Sequence, residues 1–272
     1  MRFWRYALCW VALCLAVLAV WFFGGENRRD IIADSSPSPA PSAGAENVQE
    51  EENILDTAVN ELRGVWIPYM SLSTEEHTQE AFEQNFRKIA DSAREKGLNA
   101  VFVHVRPFSD ALYPSQLFPW SHLLTGEQGK DPGFDPLKFM VEYTHQLGME
   151  FHAWINPLRV RTAQTPQTLS SPYEMLKEES PYYFMEWEGG LYFNPAYSYV
   201  RSLIAKGAGE IVENYPVDGV HFDDYFYPTE EASLDQEAYE LYTQGVTEPL
   251  SLMDWRRANI SAMMSEVYEQ VK

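Results

Sequence analysis

An α/β fold with a parallel sheet is what this sequence predicts, and more narrowly four βα units forming the N-terminal part of a (β/α)8 barrel of the TIM type. Three observations predict it. Short runs rich in Val, Ile and Phe alternate four times with longer segments of helical period. Strands apolar on both faces belong in a parallel sheet covered by helices. The longest insertions, residues 107–134, 157–193 and 225–250, each follow a strand. Loops at strand C-terminal ends are where barrel enzymes build their sites. A doubly wound sheet fits the alternation too, but no Gly-rich phosphate turn follows any strand.

Each element has its own signal. The run from Leu62 to Pro68 reads as the first strand. A helix is expected from about Thr78 to Lys96, with Phe82, Phe86, Ile89 and Ala93 on one face and Gly97 as its stop. The second strand is Ala100 to Pro107. Asp135-Pro136 opens the second helix with a cap and a proline at its first position, and Gly148 closes it. Met149 to Asn156 is the third strand. Asn194-Pro195 is expected to open the third helix, with Val200, Leu203, Ile204, Ile211 and Val212 on its apolar stripe. Val217 to Asp224 is the fourth strand, and Ser251-x-x-Asp254 is a capping box for a last helix.

Ahead of these units, Arg2 and Arg5 flank an uncharged apolar run from Tyr6 to Phe23. At about 1.5 Å per residue it reaches about 27 Å, close to the hydrocarbon thickness of a bilayer. Residues 1–23 therefore read as a signal anchor or a signal peptide. The run ends Val20-Trp21-Phe22-Phe23-Gly24-Gly25, a poor small-residue cleavage site, which favours the anchor. Arginine on the N-terminal side places the remainder outside the cytoplasm, at the cell membrane or secreted if the signal is cleaved. Residues 24–60, with a Ser/Pro stretch from Ser35 to Ser42 and the run Glu50-Glu51-Glu52, form a linker. Residues 61–272 form the βα domain.

Composition narrows the partners. The chain has 272 residues, with 20 Lys+Arg against 40 Asp+Glu and a net charge of −20. That excludes a nucleic-acid partner, whose phosphates demand Lys and Arg. With 45% hydrophobic residues, 16 Tyr, 15 Phe and 8 Trp, a core is available and disorder is excluded. Cys9 and Cys14 both lie in the apolar run, which rules out a disulfide framework and a Cys-ligated zinc. No motif calls for a cofactor.

Strand parity gathers the chemistry. If the apolar residues of each strand face the helices, His104 and Arg106 point inward from the second strand. His152, Trp154 and Asn156 do so from the third, and His221 and Asp223 from the fourth. Burying that many polar groups without purpose is costly. Asp223-Asp224 ends the fourth strand and leads into Tyr225-Phe226-Tyr227-Pro228. A carboxylate there serves as nucleophile or base. Glycosidases need two carboxyl groups, ~5–5.5 Å apart for retention or ~6.5–9.5 Å for inversion. Neighbours in a strand point to opposite faces, so Asp223 and Asp224 are not that pair. Trp66 and Trp154, at strand ends, are the aromatics best placed to stack on sugar faces. A second reading is a metal-dependent hydrolase using His104, His152, His221 and Asp223, although no H-x-H or H-E-x-x-H spacing supports it. A third is a non-catalytic glycan-binding protein tethered to the membrane.

The chain also resembles a known family. The carrying motifs run in order: Leu62-Arg63-Gly64-Val65-Trp66-Ile67, then Val105-Arg106-Pro107-x-x-Asp110-Ala111-x-Tyr113-Pro114-Ser115, then Pro119-Trp120-Ser121 with Leu124-Thr125-Gly126. His152-Ala153-Trp154-x-Asn156-Pro157-x-Arg159, Phe193-Asn194-Pro195, Asp218 to Pro228 and Asp254-Trp255-Arg256-Arg257 follow. Together they resemble the glycosyl hydrolase-like 10 family. The resemblance implies a TIM-type barrel in a bacterial envelope or secreted protein that hydrolyses glycosidic bonds, with denuded peptidoglycan glycan strands as one substrate class. The Gly219-x-His221-x-Asp223 spacing is similar to the fourth-strand motif of the α-amylase-like clan. By that resemblance Asp223 is the catalytic carboxylate and Asp224 its support. Substrate contacts are then assigned to Trp66, Arg106, Asp110, His152, Trp154, Asn156, Arg159, His221 and Tyr225. The clan's acid sits on a fifth strand, and a barrel needs eight βα units where four are found here. The chain by itself is expected to be catalytically incomplete, with its first and fourth strands as open edges.

Overall fold

The computed structural model describes residues 61–223 and 226–272; the apolar run, the linker, Asp224 and Tyr225 lie outside the described residues. In chain order the elements are β1 Gly64–Ile67, α1 Tyr69–Leu72, α2 Gln79–Glu95, β2 Ala100–Arg106, α3 His122–Thr125, α4 Pro136–Gln146 and β3 Glu150–Ile155. There follow β4 Arg159–Arg161, α5 Ser171–Glu179, β5 Phe184–Trp187, β6 Gly190–Phe193, α6 Ser198–Asn214, β7 Gly219–His221, α7 Gln236–Gln244 and α8 Leu252–Val271. Among the described residues no helix is long and apolar enough to cross a membrane.

The main sheet runs β1-β2-β3-β7, all parallel. Val101, Val103, Phe151, Ala153 and Ile155 turn from it toward the helices and are fully buried. Against them lie the apolar stripe of α2 (Phe82, Phe86, Ala90, Ala93) and those of α4 and α6. The two expected caps form, and Thr78 supplies a third. Thr78 Oγ1 accepts from Ala81 N at 3.3 Å, Asp135 Oδ1 from Lys138 N at 3.0 Å, and Ser251 Oγ from Asp254 N at 3.2 Å.

Elsewhere the structure departs from local expectation. Helix α6 starts at Ser198, not at Asn194-Pro195. Asn194 Oδ1 instead accepts from Ala196 N at 3.0 Å, the local turn that asparagine offers in competition with a helix. The fourth strand is shorter than expected, since pairing with β3 ends at Trp154 opposite His221. The insertion after β3 has its own antiparallel sheet, ordered β4-β6-β5. Its β5–β6 hairpin turns at Glu188 and Gly189, whose φ values of 46° and 77° are those a two-residue turn requires.

Arg106 is the largest correction. The β2–β3 register shifts between His104 and Arg106, so His104 faces Trp154 while Arg106 faces Ile155. One extra residue reverses the parity beyond it. Arg106 therefore points to the helix side, fully buried, with its guanidinium 4.1 Å over the Phe118 ring. Burial pushes the neighbouring Tyr113 hydroxyl up to about 12, so the cation faces a neutral phenol. Gly207 of α6 closes this pocket, because a Cβ there would overlap Arg106 Nη1 and the Phe118 ring. Gly207→Ala is expected to lower stability by about 1–3 kcal/mol through overpacking. Urea denaturation of the two proteins measures it.

Candidate active site on the inner face of the sheet

Register places Trp66, Phe102, His152 and Gly219 in one row of the inner face, and His104, Trp154 and His221 in the next. The rings pack on one another. Trp66 stacks on Phe102 at 4.9 Å, Phe102 on His152 at 4.6 Å, and His104 on Trp154 at 3.3 Å between centroids. Two glycines on the outer strands make the room. A Cβ at Gly64 would lie 2.6 Å from the Phe102 ring, and one at Gly219 would lie 2.5 Å from His152 Nδ1. The edges also meet across this face: Trp66 Nε1 of β1 donates to His221 Nε2 of β7 at 3.1 Å. A flat sheet at about 4.8 Å per strand holds such edges about 14 Å apart. The contact forms because the sheet curls around its inner face, as a barrel wall does.

Both central histidines are held neutral. Tyr69 N–H donates to His104 Nδ1 at 3.2 Å, and a backbone amide can only donate. The His104 proton therefore sits on Nε2, which faces the Asn156 side chain. Burial is the main cause that drives the His104 pKa down to about 3, with the Arg159 charge adding to it and Asn156 and Asp223 opposing it. His221 accepts from the Trp66 indole, so its proton sits on Nδ1. Burial lowers its pKa also, against the pull of Asp223. Each ring thus has its one neutral lone pair engaged. His152 turns away, its Nε2 at 3.0 Å from Glu150 Oε2 toward the strand's N-terminal end. The three histidines and Asp223 do not converge, and among the described residues no group of three His, Cys, Asp or Glu is placed to hold a metal.

The depressed histidine has a measurable consequence. Its folded-state pKa lies below the unfolded value of 6.5, so the unfolded chain takes up the proton first as pH falls. The stability it contributes is complete above pH 6.5 and is lost toward pH 3, with a slope of up to about 1.4 kcal/mol per pH unit. His104→Phe, which keeps a ring on Trp154, is expected to flatten that slope in denaturation curves taken between pH 6.5 and 4.

Asp223 is exposed just beyond the end of β7, and its Oδ1 accepts from Trp154 Nε1 at 3.0 Å. Both neutral histidines feel its charge. Trp66 is 51% exposed along this face, while Trp154 is 9% exposed. Three further residues assigned to substrate brace the loops instead. Asn156 is inward but fully buried, with Nδ2 donating to Pro107 O at 3.3 Å. The half-buried Arg159 donates from Nε to the same carbonyl at 3.2 Å and lies 5.2 Å over Phe108. Asp110, also fully buried, takes His122 Nδ1 at 3.1 Å and Gln128 Nε2 at 3.2 Å on Oδ2. His122 Nε2 lies 2.7 Å from Thr165 Oγ1, and Gln128 Oε1 accepts from Ser170 N at 2.9 Å. Asp110, Asn156 and Arg106 are fully buried, and Asp110 and Asn156 tie the loops after β2 and β3 together.

Sequence reasoning missed the Tyr69 amide and one clamp. Arg256 of α8 pairs with Asp235 at 2.6 Å, both buried, and also donates to Thr229 O at 3.3 Å and Glu231 O at 2.7 Å. Its guanidinium lies 5.2 Å from the Tyr227 ring centre. This holds the segment that follows Asp223. The Asp-Trp-Arg-Arg motif was the available signal, but nothing in its spacing names a partner.

Comparisons with known proteins agree with this geometry. Residues 61–272 match the family model described as glycosyl hydrolase-like 10. The chain is 39% identical over 225 residues to Glycosyl hydrolase YngK of Bacillus subtilis (strain 168), covering 78% of this chain and 42% of that protein. It is 32% identical over 255 residues to Glycosyl hydrolase DigH of Escherichia coli (strain K12), covering 90% and 57% respectively. The chain thus spans about half the length of the curated relatives it matches. Among solved structures it is similar to alpha-L-fucosidase isoenzyme 2 from Paenibacillus thiaminolyticus, with 18% identity and a TM-score of 0.50 over 77% of this chain and 30% of that one. That likeness is one of fold.

Proposed function

Because this chain belongs to the glycosyl hydrolase-like 10 family, we propose that it serves the hydrolysis of glycosidic bonds in a polysaccharide, with Asp223 as nucleophile or base. One observation carries the reading. Asp223 stands exposed at the C-terminal end of the inner face, on a fixed indole donor and beside two neutral histidines. As nucleophile its oxygen bonds to the anomeric carbon while the glycosidic C–O bond breaks and the leaving oxygen takes a proton from the partner carboxylic acid; as base it takes a proton from the water that displaces that leaving group. His221, with its proton on Nδ1, supplies a hydrogen-bond donor for a sugar hydroxyl without adding charge. The four strand ends contribute one described carboxylate, Asp223, and hydrolysis of either stereochemistry needs two. The partner carboxylate is therefore assigned to the whole protein.

The substrate class proposed is the glycan strand of peptidoglycan, and the proposed location is extracytoplasmic. The run Tyr6–Phe23 behind Arg2 and Arg5 supports that location. No cofactor enters the scheme. The test is release of new reducing ends from peptide-free glycan strands by the whole protein. Release supports the proposal, and binding of the strands without release points instead to a glycan-binding role.

A further inference from the structure

We propose that Trp154 is a positioning residue for Asp223, holding its carboxylate through the indole N–H, and is not a platform for sugar stacking. The inference rests on the reading of Asp223 as the reacting carboxylate. An indole can engage a sugar through a face or its N–H; here one face and the N–H are occupied, and little of the ring is exposed. His104 lies parallel on the ring, at 3.3 Å and 13°, and the side chain is only 9% exposed. His104 is itself fixed, since Tyr69 N–H donates to its Nδ1 at 3.2 Å. The indole N–H is spent on Asp223 Oδ1 at 3.0 Å. A chain of contacts therefore runs from the start of α1 through the imidazole and the indole to the carboxylate.

The exposed aspartate needs such a holder. A carboxylate in water turns freely about its side-chain bonds and spends little time aimed at a reacting atom. A charge-assisted bond to Oδ1 fixes the plane of the group and leaves Oδ2 for chemistry. Parity explains why this tryptophan can do it. Trp154 pairs with His221 across the β3–β7 register, and Asp223, two residues beyond His221, comes back within reach of its indole N–H.

Two measurements on the whole protein decide it. The first is the Nε1–H resonance of Trp154, assigned through its own ring and backbone. Asp223→Ala is expected to move this resonance upfield and to leave that of Trp66 in place; an unmoved Trp154 resonance overturns the proposal. The second is turnover of glycan strands by Trp154→Phe, which keeps an aromatic ring beside His104 and removes the N–H together with the five-membered ring that carries it. A fall in kcat of about 10–100-fold with KM within about threefold is expected. If Trp154→Phe turns over like the parent while Asp223→Asn is inactive, the positioning role falls and the proposed function stands. If neither variant slows cleavage, both fall.

Discussion

Asp223→Asn will abolish glycan cleavage and leave the fold intact. Asparagine matches aspartate in size, and its Oδ1 can still accept from Trp154 Nε1, which stands at 3.0 Å from the native oxygen. The position is exposed, so the change in stability should stay within about 0.5 kcal/mol. What disappears is the negative charge and its lone pair. An amide neither attacks an anomeric carbon nor takes a proton from water at neutral pH. A rate loss of at least about 10²–10⁴-fold is expected, the usual worth of a positioned proton-transfer group. Reducing-end release by the whole protein measures it, with thermal melting as the control. Turnover equal to the parent would falsify the assignment of Asp223. Glycan binding should persist in the variant, which separates loss of chemistry from loss of the site.

Arg256→Ala will cost about 3–5 kcal/mol, the usual penalty for removing one partner of a buried ion pair. Arg256 is 2% exposed and Asp235 4% exposed. The substitution strands the Asp235 carboxylate away from water with no cation beside it. It also removes the donors to Thr229 O and Glu231 O, so the segment between β7 and α7 loses its tie to α8. Denaturant midpoints report the first effect, and faster proteolysis within 226–235 reports the second. Replacing both partners with apolar residues of similar size should recover most of the loss, because no charge then remains buried. Equal stability of Arg256→Ala and the parent would show that the clamp carries no weight.

Much of the site was legible because strand parity is a local property. Two-residue alternation places His104, Trp154, His221 and Asp223 on one face, and no distant residue need be known to say so. Asp135-Pro136 and Ser251-x-x-Asp254 start helices where expected because a cap needs only the next three residues. Parity failed at Arg106, where one bulged residue reverses the face, and nothing in Val105-Arg106-Pro107 announces a bulge. Asn194-Pro195 failed differently: the asparagine bonds its own backbone at Ala196 and delays the helix.

The sequence by itself determined the four parallel strands, the helices that alternate with them, the caps at Asp135 and Ser251 and most of the face that carries the chemistry, because each depends on a few adjacent residues. Only the tertiary structure decided what the groups on that face do. His104 is neutral because Tyr69 N meets it and burial desolvates it, and Trp154 serves Asp223 from 69 residues away. Trp66 and His221 touch although 155 residues separate them. Protonation and hydrogen bonding are set by the neighbours a side chain meets in space, and the curl of the sheet chooses those neighbours.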